Sequence, residues 1–297
     1  MAKKNDIDAL ITEKIALMDN AEFVDLVSEL EKTLSVYVQN WYREKYGETK
    51  NMTVSERLTY MATQVNALEK KLVDLINKSK PFTEGIGQYM RKFEQIGKLN
   101  VRLHKKMSNI DVDDLVKLAT KQQTELVGDI AGTVVGRIKK NLTDPLREIF
   151  IKPVKKMIYS NILAGTPATE MVGILQEFIE GDKDTFGKIA RWGDQITRDS
   201  IREYDGAINN MIKDEYGLNA FRYIGSLVRD SRPLCVHIIT TYDGDMTYEQ
   251  LEEVLDKYSD SPGVMPGTTV ENFTQHAGGY NCRHDVLPYY RPDAKET

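Results

Sequence analysis

Apolar residues recur at steps of three and four along most of the first 215 positions, which predicts one helix after another. Phe23, Leu26, Val27, Leu30, Leu34, Tyr37 and Trp41 make the first such stripe, with Asn20 as its expected N-cap and Gly47 as its expected stop. Thr53-Val54-Ser55-Glu56 then reads as a capping box, because the threonine hydroxyl and the glutamate carboxylate each satisfy one of the amides that a helix start leaves unpaired. Behind it, Leu58, Met61, Val65, Leu68, Leu72 and Leu75 form a short heptad seam that needs another helix to cover it. An intramolecular helical hairpin is the first expectation for that cover, and self-association through residues 58–75 the second.

Pro81 interrupts the pattern. Ile86, Met90, Phe93 and Ile96 mark the next helix, and a third helical region is expected from Val112 to Lys140. Asp144-Pro145 and Lys152-Pro153 punctuate the chain beyond it, since proline cannot continue a helix into the residue before it. Gly165 to Glu170 is a turn and helix start, and residues 184–215 form another long helix carrying Ile189, Ile196, Ile201, Tyr204, Ile208 and Ile212.

Near Gly217 the texture changes. Phe221 to Val228 is rich in aromatic and aliphatic residues and predicts a strand. Asp230 to Pro233 and Tyr242 to Asp245 read as turns, and the stretch after Pro233 as a strand or a helix. Thr247 to Gln250 is a second capping box for a short helix, and Arg283 to Leu287 a closing strand. The expected fold is mainly α: an elongated helical body over residues 1–215 and a small α+β module over residues 216–297.

Composition adds limits. The chain has 297 residues and a net charge of −5, with 41% hydrophobic and 29% charged residues. No run approaches the 18 apolar residues of a membrane span, and the charged start lacks the apolar core of a secretory signal. Two cysteines are too few for a disulfide scaffold, so synthesis in a reducing cytosol is expected.

Two stretches run against the acidic balance. Residues 91–106 hold Arg91, Lys92, Lys98, Arg102, Lys105 and Lys106 against Glu94. Residues 137–156 hold Arg137, Lys139, Lys140, Arg147, Lys152, Lys155 and Lys156 against Asp144 and Glu148. Either stretch suits a phosphate backbone through counterion displacement, but the wet face of a helix is the stronger reading of both. Residues 243–260, with seven carboxylates and one lysine, do not suit a DNA-facing surface.

The chemistry-bearing residues gather near the end. Cys235-Val236-His237 and Cys282-Arg283-His284 are two Cys-x-His pairs, and four such ligands suit a tetrahedral zinc ion, with His276 as a substitute. The pairs work as ligand pairs on strands, where positions i and i+2 share a face, and fail on a helix. Buried packing cysteines, a disulfide, or a cysteine nucleophile with a histidine base are the other readings. A hydrolase would find its carboxylate base in Asp230 or Asp285, although no His-Glu-x-x-His signature is present.

The order of short motifs carries a resemblance. Tyr223-Ile224-Gly225, Asp230-Ser231-Arg232-Pro233-Leu234-Cys235, Asp243-Gly244, Pro266-Gly267, Gly278-Gly279-Tyr280-Asn281-Cys282-Arg283-His284 and Pro288-Tyr289 succeed one another along the chain. This resembles the C-terminal domain of the phage Mu F-like head-morphogenesis family, the minor head or minor capsid proteins, over Ile189 to Tyr290. Cys282-Arg283-His284 departs from the Cys-Arg-Cys of many members, and Asp230-Ser231-Arg232-Pro233 from their Arg-Thr-Arg-Pro. The resemblance implies a non-enzymatic virion component, made in the host cytoplasm and acting in head morphogenesis near the portal and the packaged double-stranded DNA. Asp230, Arg232, Pro233, Gly278, Gly279 and Arg283 are then expected to be architectural, the arginines pairing with Asp230 and Asp285. A zinc-dependent hydrolase and a sequence-independent DNA-binding protein are the alternatives.

Overall fold

A computed structural model describes residues 4–108, 147–164, 166–182, 187–258, 260–279 and 282–292. The expected third helical region, Val112 to Lys140, lies outside the described residues, as do Arg137, Lys139 and Lys140 of the second basic stretch. The fold is mainly helical with a small antiparallel sheet near the C-terminus. Among the described residues no helix is long and apolar enough to cross a membrane.

The helices are α1 (Lys4–Met18), α2 (Ala21–Glu48), α3 (Val54–Asn77), α4 (Ile86–Ser108), α5 (Lys152–Ala164), α6 (Ala168–Glu180) and α7 (Lys188–Tyr216). Beyond them come β1 (Ala220–Ile224), α8 (Pro233–Tyr242), β2 (Asp245–Thr247), α9 (Tyr248–Tyr258), α10 (Phe273–His276) and β3 (Asp285–Tyr289). Single π-type turns, Pro81–Gly85 and Arg147–Ile151, lead into α4 and α5.

The chain divides into two compact units, and the boundary is not the single cut near residue 216 that texture suggests. One unit comprises Asn20–Tyr89 and Ala131–Ile196; the other comprises Met1–Asp19, Met90–Ile130 and Thr197–Thr297. The C-terminal strands therefore share their unit with α1 and with the later parts of α4 and α7, because a three-stranded sheet alone has too little surface to bury both faces.

In the first of these units α2 packs along α6, and α3 lies against α2 and α5. The α3 capping box forms as expected: Glu56 N donates to Thr53 Oγ1 at 3.3 Å, and Thr53 N donates to Glu56 Oε2 at 2.9 Å. Met61, Val65, Leu68 and Leu72 of the seam are buried against the chain's own helices. That corrects the expectation of self-association through residues 58–75: the apolar stripe is already covered inside the unit. Asn20 precedes α2 but does not cap it with its side chain, which donates to Asp194 O at 3.0 Å. The helix also runs past Gly47 to Glu48. Glu31, buried on α2, accepts from Ile189 N at 2.7 Å and Ala190 N at 3.0 Å, two amides of the first turn of α7.

In the other unit the strands lie in the order β2-β1-β3, all antiparallel. Strand β1 ends at Ile224, earlier than the expected Val228, because Gly225 turns the chain at φ +141 and a side chain there would meet Arg283 O at 2.7 Å. Asp243 and Gly244 take left-handed angles at the end of α8, which turns Asp245–Thr247 back alongside Ala220–Arg222. Part of an expected turn thus becomes β2. The second capping box holds, with Gln250 N donating to Thr247 Oγ1 at 3.1 Å and Thr247 N to Gln250 Oε1 at 2.9 Å.

Strand β3 is buried on both sides. Val286 joins Phe221, Tyr223, Met246 and Phe273 in the main core under α8 and α9, whereas Leu287 joins Leu10, Leu99 and Leu103 beneath α1 and α4. The two-residue period of a strand then points Asp285 to the same side as Leu287, toward α1. Pro288 is tolerated because β3 is an edge of the sheet.

Candidate metal centre

Helix α8 opens with Pro233 in its first turn, where a missing N–H costs nothing. Cys235 follows on the inward face with Leu234 and Ile238, all buried. His237 is two residues on, about 200° around a helix of 3.6 residues per turn. It faces away, with its ring against Tyr242 and Tyr258 (centroids 5.8 and 4.9 Å apart) and Nδ1 3.2 Å from Thr241 Oγ1. His237 is thereby removed from the expected four-ligand set, for the helical reason that made the pair doubtful.

The other pair stays together. Cys282 and His284 lie in the loop just before β3, where His284 N also donates to Cys282 Sγ at 3.4 Å. Cys282 Sγ lies 4.0 Å from Cys235 Sγ and 3.6 Å from His284 Nδ1. Cys235, Cys282 and His284 are all buried, and their ligand atoms lie within 4.8 Å of one another, close enough to share one metal ion. A tetrahedral zinc with thiolates at about 2.3 Å needs sulfurs about 3.8 Å apart, so the sulfur spacing fits with little movement. His276, the substitute ligand, is not in this group; its Nδ1 lies 3.2 Å from Thr268 Oγ1.

Tyr223, from β1, backs the cluster. Its hydroxyl lies 3.2 Å from Cys235 Sγ and 3.6 Å from Cys282 Sγ, and its ring stacks on His284 with centroids 4.8 Å apart. Gly278 closes one wall, since a Cβ there would lie 2.5 Å from Cys235 Sγ and 2.7 Å from Cys282 Sγ. Arg202 of α7 donates to Gly279 O and fixes that loop. The thiols differ. Hydrogen bonding from Cys235 first, and then from His284, holds Cys282 well below the ordinary thiol range. The same sulfur contact, with burial second, pushes Cys235 up. His284 Nε2 is buried and has no hydrogen-bond partner among the described residues.

On the other side the three ligand residues line a cleft of about 110 Å³, completed by Val228, Asp230, Ser231, Arg232 and Arg283. The expected pairing of Arg283 with Asp285 does not form. Arg283 is exposed, and Asp285 points to α1. Arg232 passes Gly263, where an added side chain would collide with its guanidinium.

Asp285 belongs to a second constellation that the motifs did not indicate. Lys14 of α1 is fully buried, with Nζ 2.8 Å from Asp205 Oδ2 and 2.5 Å from Asp285 Oδ2. Asn100 Nδ2 donates to Asp205 Oδ1 at 2.6 Å, Asn209 Nδ2 donates to Asp205 Oδ2 at 3.0 Å, and His104 Nε2 lies 3.0 Å from Asn209 Oδ1. Burial and the neighbouring Asp285 raise Asp205 well above the carboxylate range. Burial pulls Lys14 down, but the two facing carboxylates outweigh it and its pKa is raised. Burial lowers His104 to about 4, so its ring is neutral. The available signal was a pair of polar residues, Asp205 and Asn209, set four apart beside the Ile201-Tyr204-Ile208-Ile212 stripe.

The described basic positions are in part paired with carboxylates. On α4, Lys98 pairs with Glu94 (2.6 Å), Arg102 with Glu13 (3.6 Å) and Lys106 with Asp6 (3.2 Å), while Lys92 donates to Asp19 O and Arg91 and Lys105 are exposed. On α5, Lys155 pairs with Glu69 at 2.8 Å, Lys152 pairs with Glu148, and Lys156 is exposed. Nearby carboxylates offset much of the charge that would attract phosphate. No protein-family model, no curated protein and no solved structure matches this chain.

Proposed function

We propose that the chain is a structural protein of a phage head, a minor head protein acting in head morphogenesis near the portal, and that zinc held by Cys235, Cys282 and His284 staples its C-terminal unit. One observation carries the reading. The separate motifs behind the resemblance, Tyr223 to Gly225, Asp230 to Cys235, and the described residues Gly278, Gly279 and Cys282 to His284, meet around one buried cluster. Residues placed there hold a small fold together, which is what an assembly module needs. A zinc ion closing on them would supply folding energy, since its ligands come from α8 and from the chain before β3, 47 residues apart. Portal and head proteins are the proposed partners.

The test has two parts. Mass spectrometry of purified virions from the genome that encodes the chain should find it as a low-copy component; its absence from particles sinks the virion role. Elemental analysis of the purified protein should find one zinc per chain. Substoichiometric metal, with stability indifferent to chelators, sinks the staple.

A further inference from the structure

We infer that the metal centre has three protein ligands among the described residues and that its fourth coordination position faces the cleft beside Arg232 and takes an exchangeable water that a small anion displaces. This rests on the metal reading above and extends it. Cys235, Cys282 and His284 all line the cleft, whereas Tyr223 does not. The tyrosine hydroxyl approaches both sulfurs from the core side, where its ring lies against Phe273 and His284. An ion bound by the three ligands therefore has protein behind it and the cleft in front.

The other polar groups of the cleft suit a guest better than a ligand. Ser231 Oγ already accepts from Val228 N at 2.8 Å. Asp230 and Arg283 are exposed at the mouth, and Arg232 is half-buried in the wall. Among the described residues, Asp230 lies outside the group whose ligand atoms can share one ion. Arg232 and Arg283 both line the cleft, and guanidinium groups favour an anionic donor over a neutral one. A cleft of about 110 Å³ admits a guest of a few heavy atoms, such as azide or acetate. Three protein ligands and one solvent position is the arrangement of metal sites that exchange ligands, unlike the four-ligand sites that only brace a fold. The exchange moves no electrons between oxidation states: the anion donates a lone pair to the metal and one water leaves.

The experiment uses the full chain loaded with cobalt(II) in place of zinc, titrated with sodium azide and read by visible absorption. The ligand-field band should shift in a saturable way, and Arg232→Ala should weaken azide binding about tenfold while cobalt still binds one per chain. A band that azide does not move in the full chain, but does move in Tyr223→Phe or Asp230→Asn, gives the fourth position to that side chain and overturns the inference. A band that azide moves in none of the three proteins overturns it as well. Failure to bind cobalt at all removes the underlying metal reading instead, so the two failures are distinct.

Discussion

Lys14 carries its charge into a fully buried place, 2.8 Å from Asp205 and 2.5 Å from Asp285. Such a group contributes little over an apolar replacement of the whole cluster, yet removing one member leaves the others uncompensated. Lys14→Met should therefore cost about 3–5 kcal/mol, read from the urea midpoint, and Lys14→Met with Asp205→Asn and Asp285→Asn should recover part of it. A loss below about 1 kcal/mol for the single variant would mean that the carboxylates take up protons cheaply and that the three groups are not coupled. His104 supplies a pH dependence with a definite sign. Its folded pKa is about 4, below the ordinary 6.5, because burial disfavours the imidazolium and Lys14 adds to that, while Asn209 and Asp285 oppose. The unfolded chain binds the extra proton in that interval. Stability present above pH 6.5 is therefore lost as pH falls from 6.5 through about 4, on the order of 3 kcal/mol in all. Asp205, raised by burial, gives the opposite slope, so the contribution is best read as a difference. The drop in stability between pH 7 and pH 5 should be smaller in His104→Gln than in the parent chain; equal drops would remove His104 as the cause.

At the scale of elements, the local signals that proved right were those with a local mechanism. The box at Thr53 and Glu56 satisfies amides of its own helix start, so its residues announce it. Thr53→Ala should cost about 1 kcal/mol by thermal unfolding, and an unchanged midpoint would mean that the first turn of α3 frays without consequence. The heptad seam of α3 announced a covering helix but not its identity; α2 and α5 supply it. Strand β2 was illegible because three residues are too few for a period, and its pairing depends on left-handed angles at Asp243 and Gly244. The pair at Cys282 and His284 converges in the loop before β3, where His284 N donates to Cys282 Sγ and its ring Nδ1 lies 3.6 Å from the same sulfur. The pair at Cys235 and His237 splits because Pro233 starts a helix there.

At the scale of the whole molecule, the division into units cuts across the order of the chain. Residues 4–19 belong with the C-terminal strands although more than 180 positions separate them, and α4 and α7 each give residues to both units. By itself, the sequence determined the mainly helical class, the two capping boxes, the core stripes of α2, α3 and α7, and the gathering of metal-type side chains near the end. Each of these arises from the periodicity of a helix or strand or from backbone groups within one turn, so a short window contains the cause. Only the tertiary structure decided that three of four expected ligands meet and one leaves, and that Asp285 turns to Lys14 rather than to an arginine. It also decided that a buried polar network links α1, α4, α7 and β3. These outcomes depend on which faces are brought together over large sequence separations. A buried charge finds its partner through the packing of whole elements, and no local pattern of residues records that choice.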